Sequence, residues 1–312
     1  MVRIVRKNDM VARKKTLDTL QCTKSQSKTA RLLGLSFDQV HRVMHNFVKR
    51  GMSKRSLDDR YYYLSIDEKA VSKGHDYFSI LSDESTGIVI DVVEGRTKES
   101  VDKLCNKLTK DQRDDVKTIC TDMWDAFIYG AKTHFEKAIH CHDNFHLVGY
   151  LNKAVDKVRK REVREVEELK KTKYIWLKDV SNMTEKQRII FESIDKVNYE
   201  VSKAWRIKEN FRDIQFRQDT KENAFFILAN WRRSAIYSKI PEILAVVKMF
   251  DRHFQGILNA ILTGSNNARA ERINGAIEEL KRIGRGYRNK QNFRTAILFF
   301  HGNLDGCSHK TQ

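Results

Sequence analysis

Residues 61–71, YYYLSIDEKAV, carry the reading on which the fold rests. Three tyrosines, Leu64 and Ile66 form a β-rich run that predicts a buried strand. Asp67 then stands where a core strand would carry another apolar residue. Burying an ionised carboxylate is costly without a partner, usually a cation or a metal. Two later carboxylates, Asp122 in ICTDMWDAF and Glu271 in SNNARAERINGAIEELKR, are the candidates to gather around that point.

Downstream of this strand, HDYFSILSD and GIVIDVVEG predict two more, joined by the turn-prone DESTG, so that a three-stranded antiparallel meander is expected. TKESVDKLCNKLT reads as an amphipathic helix opened by Thr97. VKTICTD is a short apolar strand ending in Asp122, followed by the helix MWDAFIYGAKTHF; AIHCHDNFHLV is a further strand running into a helix. Strands in antiparallel order, then strands alternating with helices, predict an α/β fold with an RNase H-like mixed sheet. Asp67 would lie on the central first strand and Asp122 at the adjacent end of the fourth.

Upstream, residues 1–15 are basic and weakly patterned and read as an arm. In LDTLQCTKSQSKTARLLGLSFDQVHRVMHNFVKRG, Ala30, Gly34 and Val40 have helix-turn-helix spacing: a small contact residue, a turn glycine and a β-branched packing residue. Ser36 is a natural N-cap, and Gln39, His41, Arg42, His45 and Asn46 share the face opposite Val40, Val43 and Phe47. Gln39, Arg42 and Asn46 are the candidate DNA readers.

Residues 151–262 repeat apolar side chains at three- and four-residue spacing and predict an all-helical block, with Pro241 opening one helix and Trp176, Trp205 and Trp231 in its core. After TGSNN, Ala270, Ile273, Ile277 and Leu280 form one stripe of a last amphipathic helix, with Glu271, Asn274, Gly275, Glu278 and Arg282 beside it. Gly275 in mid-helix suggests a close approach. KRIGRGYRNKQNFR is basic, glycine-punctuated and suited to phosphate, with Lys281, Arg282 and Arg285 the candidate contacts. The organisation expected is a DNA-binding region at 1–60, a first catalytic part at 61–150, a helical insertion at 151–262, and a final catalytic helix with a basic segment at 263–312.

Charge agrees with this division. The chain carries +18 overall, yet residues 61–150 hold 11 Lys and Arg against 16 Asp and Glu, whereas residues 1–60 hold 15 against 5. An acidic block between basic ones suits carboxylates that gather metal while the flanks grip phosphate. No apolar run reaches the roughly 18 residues of a membrane span. Five scattered cysteines without a CxxC pair argue against a disulfide framework and a cysteine zinc site. A cytoplasmic, nucleoid-associated protein is expected, without membrane or small-molecule substrate.

Each carboxylate has a competing reading. Glu68 could be the inward residue instead of Asp67; Asp122 could cap the helix starting at Met123; Glu278 or Glu279 could replace Glu271. In HCHDNFH, strand alternation sends His140 and His142 to one face and Cys141 and Asp143 to the other, which disfavours a separate zinc site. Hard oxygen ligands suit two Mg²⁺ or Mn²⁺ ions and in-line phosphoryl transfer.

SIDEKAVSKGHDYFSILSD, GRTKES, TDMWDAF, AIHCHDNFHLV and SNNARAERINGAIEELKRIGRGYRN together resemble the DDE-type transposases of the ISL3 insertion-sequence family, over roughly residues 61–300. The resemblance implies an RNase H-like catalytic domain interrupted by a helical insertion. Asp67, Asp122 and Glu271 match its catalytic, metal-holding triad; Asp143 and His146 match its Asp-x-Phe-His signature, supporting residues together with Asn274. It also implies double-stranded DNA, both element ends and target, as partner, and a homo-oligomer on that DNA. The chain departs from the family in lacking a zinc-binding cysteine module ahead of the helix-turn-helix, and in carrying Arg272 where glycine usually follows the glutamate. The alternative is a catalytically dead DNA-binding regulator or inhibitor of transposition.

Overall fold

The computed structural model describes residues 2–55, 57–71, 76–178, 180–194, 199–214, 220–265 and 268–304. In chain order the elements are α1 (Val2–Thr23), α2 (Gln26–Leu33), α3 (Phe37–Lys54), β1 (Tyr63–Ala70), β2 (Tyr77–Asp83), β3 (Ile88–Glu94), α4 (Lys98–Cys105), α5 (Lys110–Asp114), β4 (Thr118–Thr121), α6 (Asp125–His134) and β5 (Ile139–His142). Then follow α7 (Asn144–Glu162), α8 (Lys173–Leu177), α9 (Glu185–Ser193), α10 (Glu200–Ile214), α11 (Lys221–Tyr237), α12 (Pro241–Thr263), α13 (Ala268–Ile283) and α14 (Lys290–His301). The chain divides into two compact units, Met1–Ile139 with Asn267–Gln312, and His140–Asn266.

The five-stranded sheet has the order β3-β2-β1-β4-β5, its first four strands lying in the first unit. β1 pairs antiparallel with β2, and β2 with β3, as the meander requires; β1 pairs parallel with β4. Alternation along β1 explains the layering. Leu64 and Ile66 point to the side of α4 and α6, in a core shared with Leu81, Ile90, Val101, Leu104 and Phe127. The opposite face presents Phe78, Ile80, Val89 and Val92 to a second core, built with α1, α3, α13 and α14. Both faces are covered, so the sheet is the middle of three layers.

Two expectations at the amino end are corrected. Residues 2–15 are not an arm but belong to α1, because Leu17 and Leu20 further along the same helix bury against α2 and α3. The tyrosines do not belong to the buried part of β1: Tyr62 and Tyr63 are more than 40% exposed, and burial begins at Leu64. Gly34 ends α2 in the left-handed region, φ 64°, and donates its N–H to Ala30 O. Nothing lies within 4 Å of a Cβ placed there, so the backbone conformation, not space, requires glycine. Ser36 caps α3 in a full capping box with Gln39. Where α3 ends, the Arg55 guanidinium donates to Ile90 O and Val89 O of β3 and to Gly302 O after α14, which ties the amino-terminal helices to the sheet.

The second unit is helical, as its periodicity predicts. α7 packs on α10 and α12, and α11 on α12. Trp176 and Trp231 are buried, and Trp231 packs edge-on against Phe211 and tilted on Phe250 while donating to Ile207 O. One predicted helix breaks: the described residues of VREVEELKKTKYIWLKDV form a 3₁₀ turn, Glu167–Leu169, the short α8 and the start of a second 3₁₀ turn, Val180–Asn182, with Lys171 at φ 61° between the first two.

Gly51 sits inside α3, where a Cβ would fall 2.6 Å from Leu304 Cβ. The contact is with the root of the leucine side chain, which cannot rotate away. Gly51→Val should therefore destabilise the fold by about 1–3 kcal/mol. A urea midpoint shifted down at unchanged m-value is the expected result, and an unshifted midpoint would contradict this packing.

Candidate active site

β1 and β4 run parallel with Ile66 opposite Thr121 as their last paired residues. Asp67 and Asp122 are each one step further along, so the two carboxylates follow the last pair of neighbouring strands whose axes are about 4.8 Å apart; β4 ends there, while β1 continues to Ala70. Asp67 is buried, 7% exposed, while Asp122 is half-buried. Asp67 lies on the face opposite Ile66 and so toward α13. Its Oδ1 accepts from Glu68 N at 2.7 Å, and its Oδ2 accepts from Asn274 Nδ2 at 2.6 Å. Asp122 Oδ1 accepts from Met123 N at 2.5 Å. Helix α6 starts later, at Asp125, with Trp124 as its N-cap, so Asp122 is not its cap.

Helix α13 carries Glu271, the third of the expected carboxylates. Ile273, Ile277 and Leu280 bury, as the stripe predicts; the Ala270 side chain lies outside the described residues. Glu271 is half-buried and stands one turn before Asn274, on the same helix face. Three further bonds fasten α13 to β1. Lys69 Nζ donates to Asn274 O at 3.1 Å and pairs with Glu278 at 2.9 Å, and Lys281 Nζ donates to Ala70 O at 3.3 Å. The competing glutamates are thus engaged with lysines: Glu278 with Lys69, which lowers its pKa by direct hydrogen bonding, and Glu279 with Lys24 at 3.4 Å. Gly275 is exposed with nothing within 4 Å of a Cβ, so the expected close approach is absent there.

Sequence reasoning weighed Glu68 against Asp67 and passed over the partner of Glu68, Arg96. Glu68 points to the other face and takes a two-pronged contact from Arg96, at 2.8 and 3.2 Å. The Arg96 guanidinium lies over the Tyr77 ring at 4.0 Å and the Trp124 ring at 4.4 Å, and Trp124 Nε1 donates back to Arg96 O at 3.0 Å. Its pKa is raised, first by the Glu68 hydrogen bond and also by the charge of Asp122. Arg96 thereby joins the turn after β3 to the ends of β1 and β4. The signal was present in GRTKES and TDMWDAF, but only the register brings them together.

Other expected residues have plain local roles. Asp143, in the second unit, caps α7 by accepting from Phe145 N at 2.9 Å, with Oδ2 3.5 Å from His146 Nε2. The His140 and His142 rings are 4.7 Å apart, and His142 packs on His253 at 4.9 Å. On α3, Arg42 and Asn46 are exposed; Gln39 is exposed too, but its Oε1 accepts from Ser36 N at 2.8 Å within the capping box. Arg282 and Arg285 are exposed near the end of α13.

The donor set fits a hard cation that keeps most of its waters and takes one or two carboxylates plus substrate phosphate. It is not a preformed cage: among the described residues no three His, Cys, Asp or Glu stand together to hold a metal. No helix of the described residues is long and apolar enough to cross a membrane.

Asn274 offers a test of the geometry. Asn274→Asp places a second carboxylate where Asp67 now receives a donor, which raises the pKa of one member of the pair above its unfolded value near 4. Stability relative to the parent is then lost as pH rises through that raised pKa. The expected deficit is about 1–3 kcal/mol at pH 7, vanishing below roughly pH 4. Urea denaturation at both pH values reads it, and a deficit equal at both would contradict the contact.

Residues 64–297 match the family described as transposase, of the ISL3 DDE type. The transposase for insertion sequence element IS1001 of Bordetella parapertussis is 24% identical over 250 residues, covering 77% of this chain and 61% of that protein. The transposase for IS1557 of Mycobacterium tuberculosis is 21% identical over 257 residues, covering 73% and 57%. The chain spans about 60% of the length of these relatives.

Proposed function

The chain belongs to the ISL3-type DDE transposase family, and from that premise we propose that it cuts DNA at the ends of an insertion sequence and joins them to target DNA. The observation that carries this is the placement of Asp67 and Asp122 on adjacent parallel strands, each one residue past the last β1–β4 pair, with the helix of Glu271 bonded to Asp67 through Asn274. The order of strands, antiparallel meander then parallel β4, fits an RNase H-like core, and the helical His140–Asn266 unit fits an insertion ahead of the last catalytic helix.

In this reading Asp67, Asp122 and Glu271 would hold two Mg²⁺ or Mn²⁺ ions. When bound, such ions activate the attacking oxygen and stabilise the leaving one. The protein's own part is orientation. The Glu68 N–H and the Asn274 amide each hold one oxygen of Asp67, so the carboxylate cannot rotate freely. In the cut, a water oxygen bonds to phosphorus as the P–O3′ bond breaks, leaving a 5′-phosphate and a 3′-hydroxyl; the water's protons pass to the 3′ oxygen and to solvent. In joining, that 3′-hydroxyl attacks a target phosphodiester in the same way. Asp143 and His146 act as supporting residues, and synapsis of two ends calls for at least a dimer.

Helices α2 and α3, with the Gly34 turn and the Ser36 cap, fit a helix-turn-helix whose α3 reads DNA through Arg42 and Asn46. Gln39 contributes through its amide nitrogen, since its oxygen serves the cap. Arg282 and Arg285 contact phosphate. Arg42→Ala should weaken end binding by about 1–3 kcal/mol if the contact is bidentate to a base. Equal affinity and salt slope in a gel-shift series would remove α3 as the reader.

Glu271→Gln tests the chemistry. Glutamine is nearly isosteric, so the packing of Ile273 and Ile277 survives, but a neutral amide oxygen is a far weaker ligand for a hard cation. Metal-dependent cleavage of supercoiled DNA carrying the element's ends should be lost with binding retained. Glu278→Gln, which removes only an exposed partner of Lys69, should cut like the parent. The opposite pattern would move the third ligand to Glu278.

A further inference from the structure

A cavity of about 560 Å³ opens in the first unit between α2 and the turn that joins α13 to α14. Every charged residue that lines it is basic: Lys24, Lys28 and Arg31 from the α2 side, Arg285 and Arg288 from the turn. Lys24 is shared with Glu279 at 3.4 Å. Among the described residues no carboxylate pairs with Lys28, Arg31, Arg285 or Arg288, all of them exposed. Four like charges around one concavity repel each other, and the fold takes no internal neutralisation for them. That arrangement favours an external polyanion.

The turn is built to keep the cations there. Helix α13 ends with Gly286 N donating to Lys281 O at 2.8 Å and Arg285 N donating to Arg282 O at 3.1 Å, the two bonds of a Schellman motif. The left-handed position of that motif, where glycine is the usual residue, is occupied by Arg285 at φ 52°. A non-glycine residue there costs on the order of 1 kcal/mol. Tyr287, stacked on Phe293 at 4.7 Å, anchors the next residue in the core. The concavity also opens beside Phe37, the first residue of α3, which places it next to the proposed reading helix.

We propose that this cavity is a second DNA site that grips the sugar-phosphate backbone of duplex DNA through Lys28, Arg31, Arg285 and Arg288, independent of base sequence. The inference rests on the DNA-processing reading above. It couples the amino-terminal helices to the helix that carries Glu271, since one strand lying in the cavity would touch both α2 and the end of α13.

The test uses the full chain with Arg31→Ala, Arg288→Ala, the double variant, and Arg31→Lys and Arg288→Lys, on duplexes with and without the element's ends. Each alanine should make the slope of log K against log salt about 1 less steep, with the same loss on both duplexes. The lysine variants should keep the parental slope, because a phosphate accepts a point charge where a bidentate base contact does not. Parental slopes in the double variant, or a loss confined to end-containing duplex, would overturn the proposal. Cleavage of end-containing DNA is followed in parallel. A parent that binds with these slope changes but never cuts removes the transposase reading and leaves the cavity site. Alanine variants that keep the parental slope while the parent cuts remove the cavity site alone. A parent that binds no DNA removes both.

Discussion

The hydrogen bond from Asn274 to Asp67 joins residues 207 positions apart, and much of the candidate site depends on it. Asp67 is buried on the central strand, one step past its pairing with β4, so its carboxylate needs donors, and one of those it receives comes from a helix near the other end of the chain. Lys69 and Lys281 add bonds from the same strand to the same helix. Together they set the rotation of α13, and the rotation decides which of its side chains face β1. Turned by one residue, the helix would present another side chain there and lose the buried Ile273 and Ile277 from the core.

The long excursion between β5 and α13 is compatible with this arrangement. The entropy of closing a chain segment grows only with the logarithm of its length, and the His140–Asn266 unit supplies its own core through Trp176, Phe211, Trp231 and Phe250. The sheet unit in turn has two cores of its own, one on each face. Arg55, at the end of α3, closes it by binding three carbonyls from β3 and the end of α14. The amino-terminal helices therefore belong to the same compact unit as the sheet.

On the other side of β1, Glu68 is held by an arginine stacked between two aromatic rings. Sequence reading set Glu68 against Asp67 as alternatives for one role. Strand alternation gives them different ones, because successive side chains point to opposite faces. Asp67 meets α13 while Glu68 fastens the turn after β3 beside the ends of β1 and β4.

Local signals settled what local physics controls. Alternation and turn residues marked the meander; Thr97, Ser36 and Pro241 marked helix starts, and each occupies its expected position. The family resemblance rested on short motifs whose order along the chain is itself sequence. Readings that failed needed information from elsewhere in the chain. Residues 1–15 looked unpatterned because the leucines that hold their helix in place lie just beyond them, and Tyr62 and Tyr63 look like core residues until the layers show burial starting at Leu64. The choice among Glu271, Glu278 and Glu279 is equally invisible in a periodic helix, since all three satisfy the same pattern. Tertiary packing gives them different surroundings: Lys69 engages Glu278, Lys24 engages Glu279, and Asn274, one turn after Glu271, bonds to Asp67. Periodicity determines which face of a helix is apolar, but only the residues packed against that helix determine what its polar side chains meet.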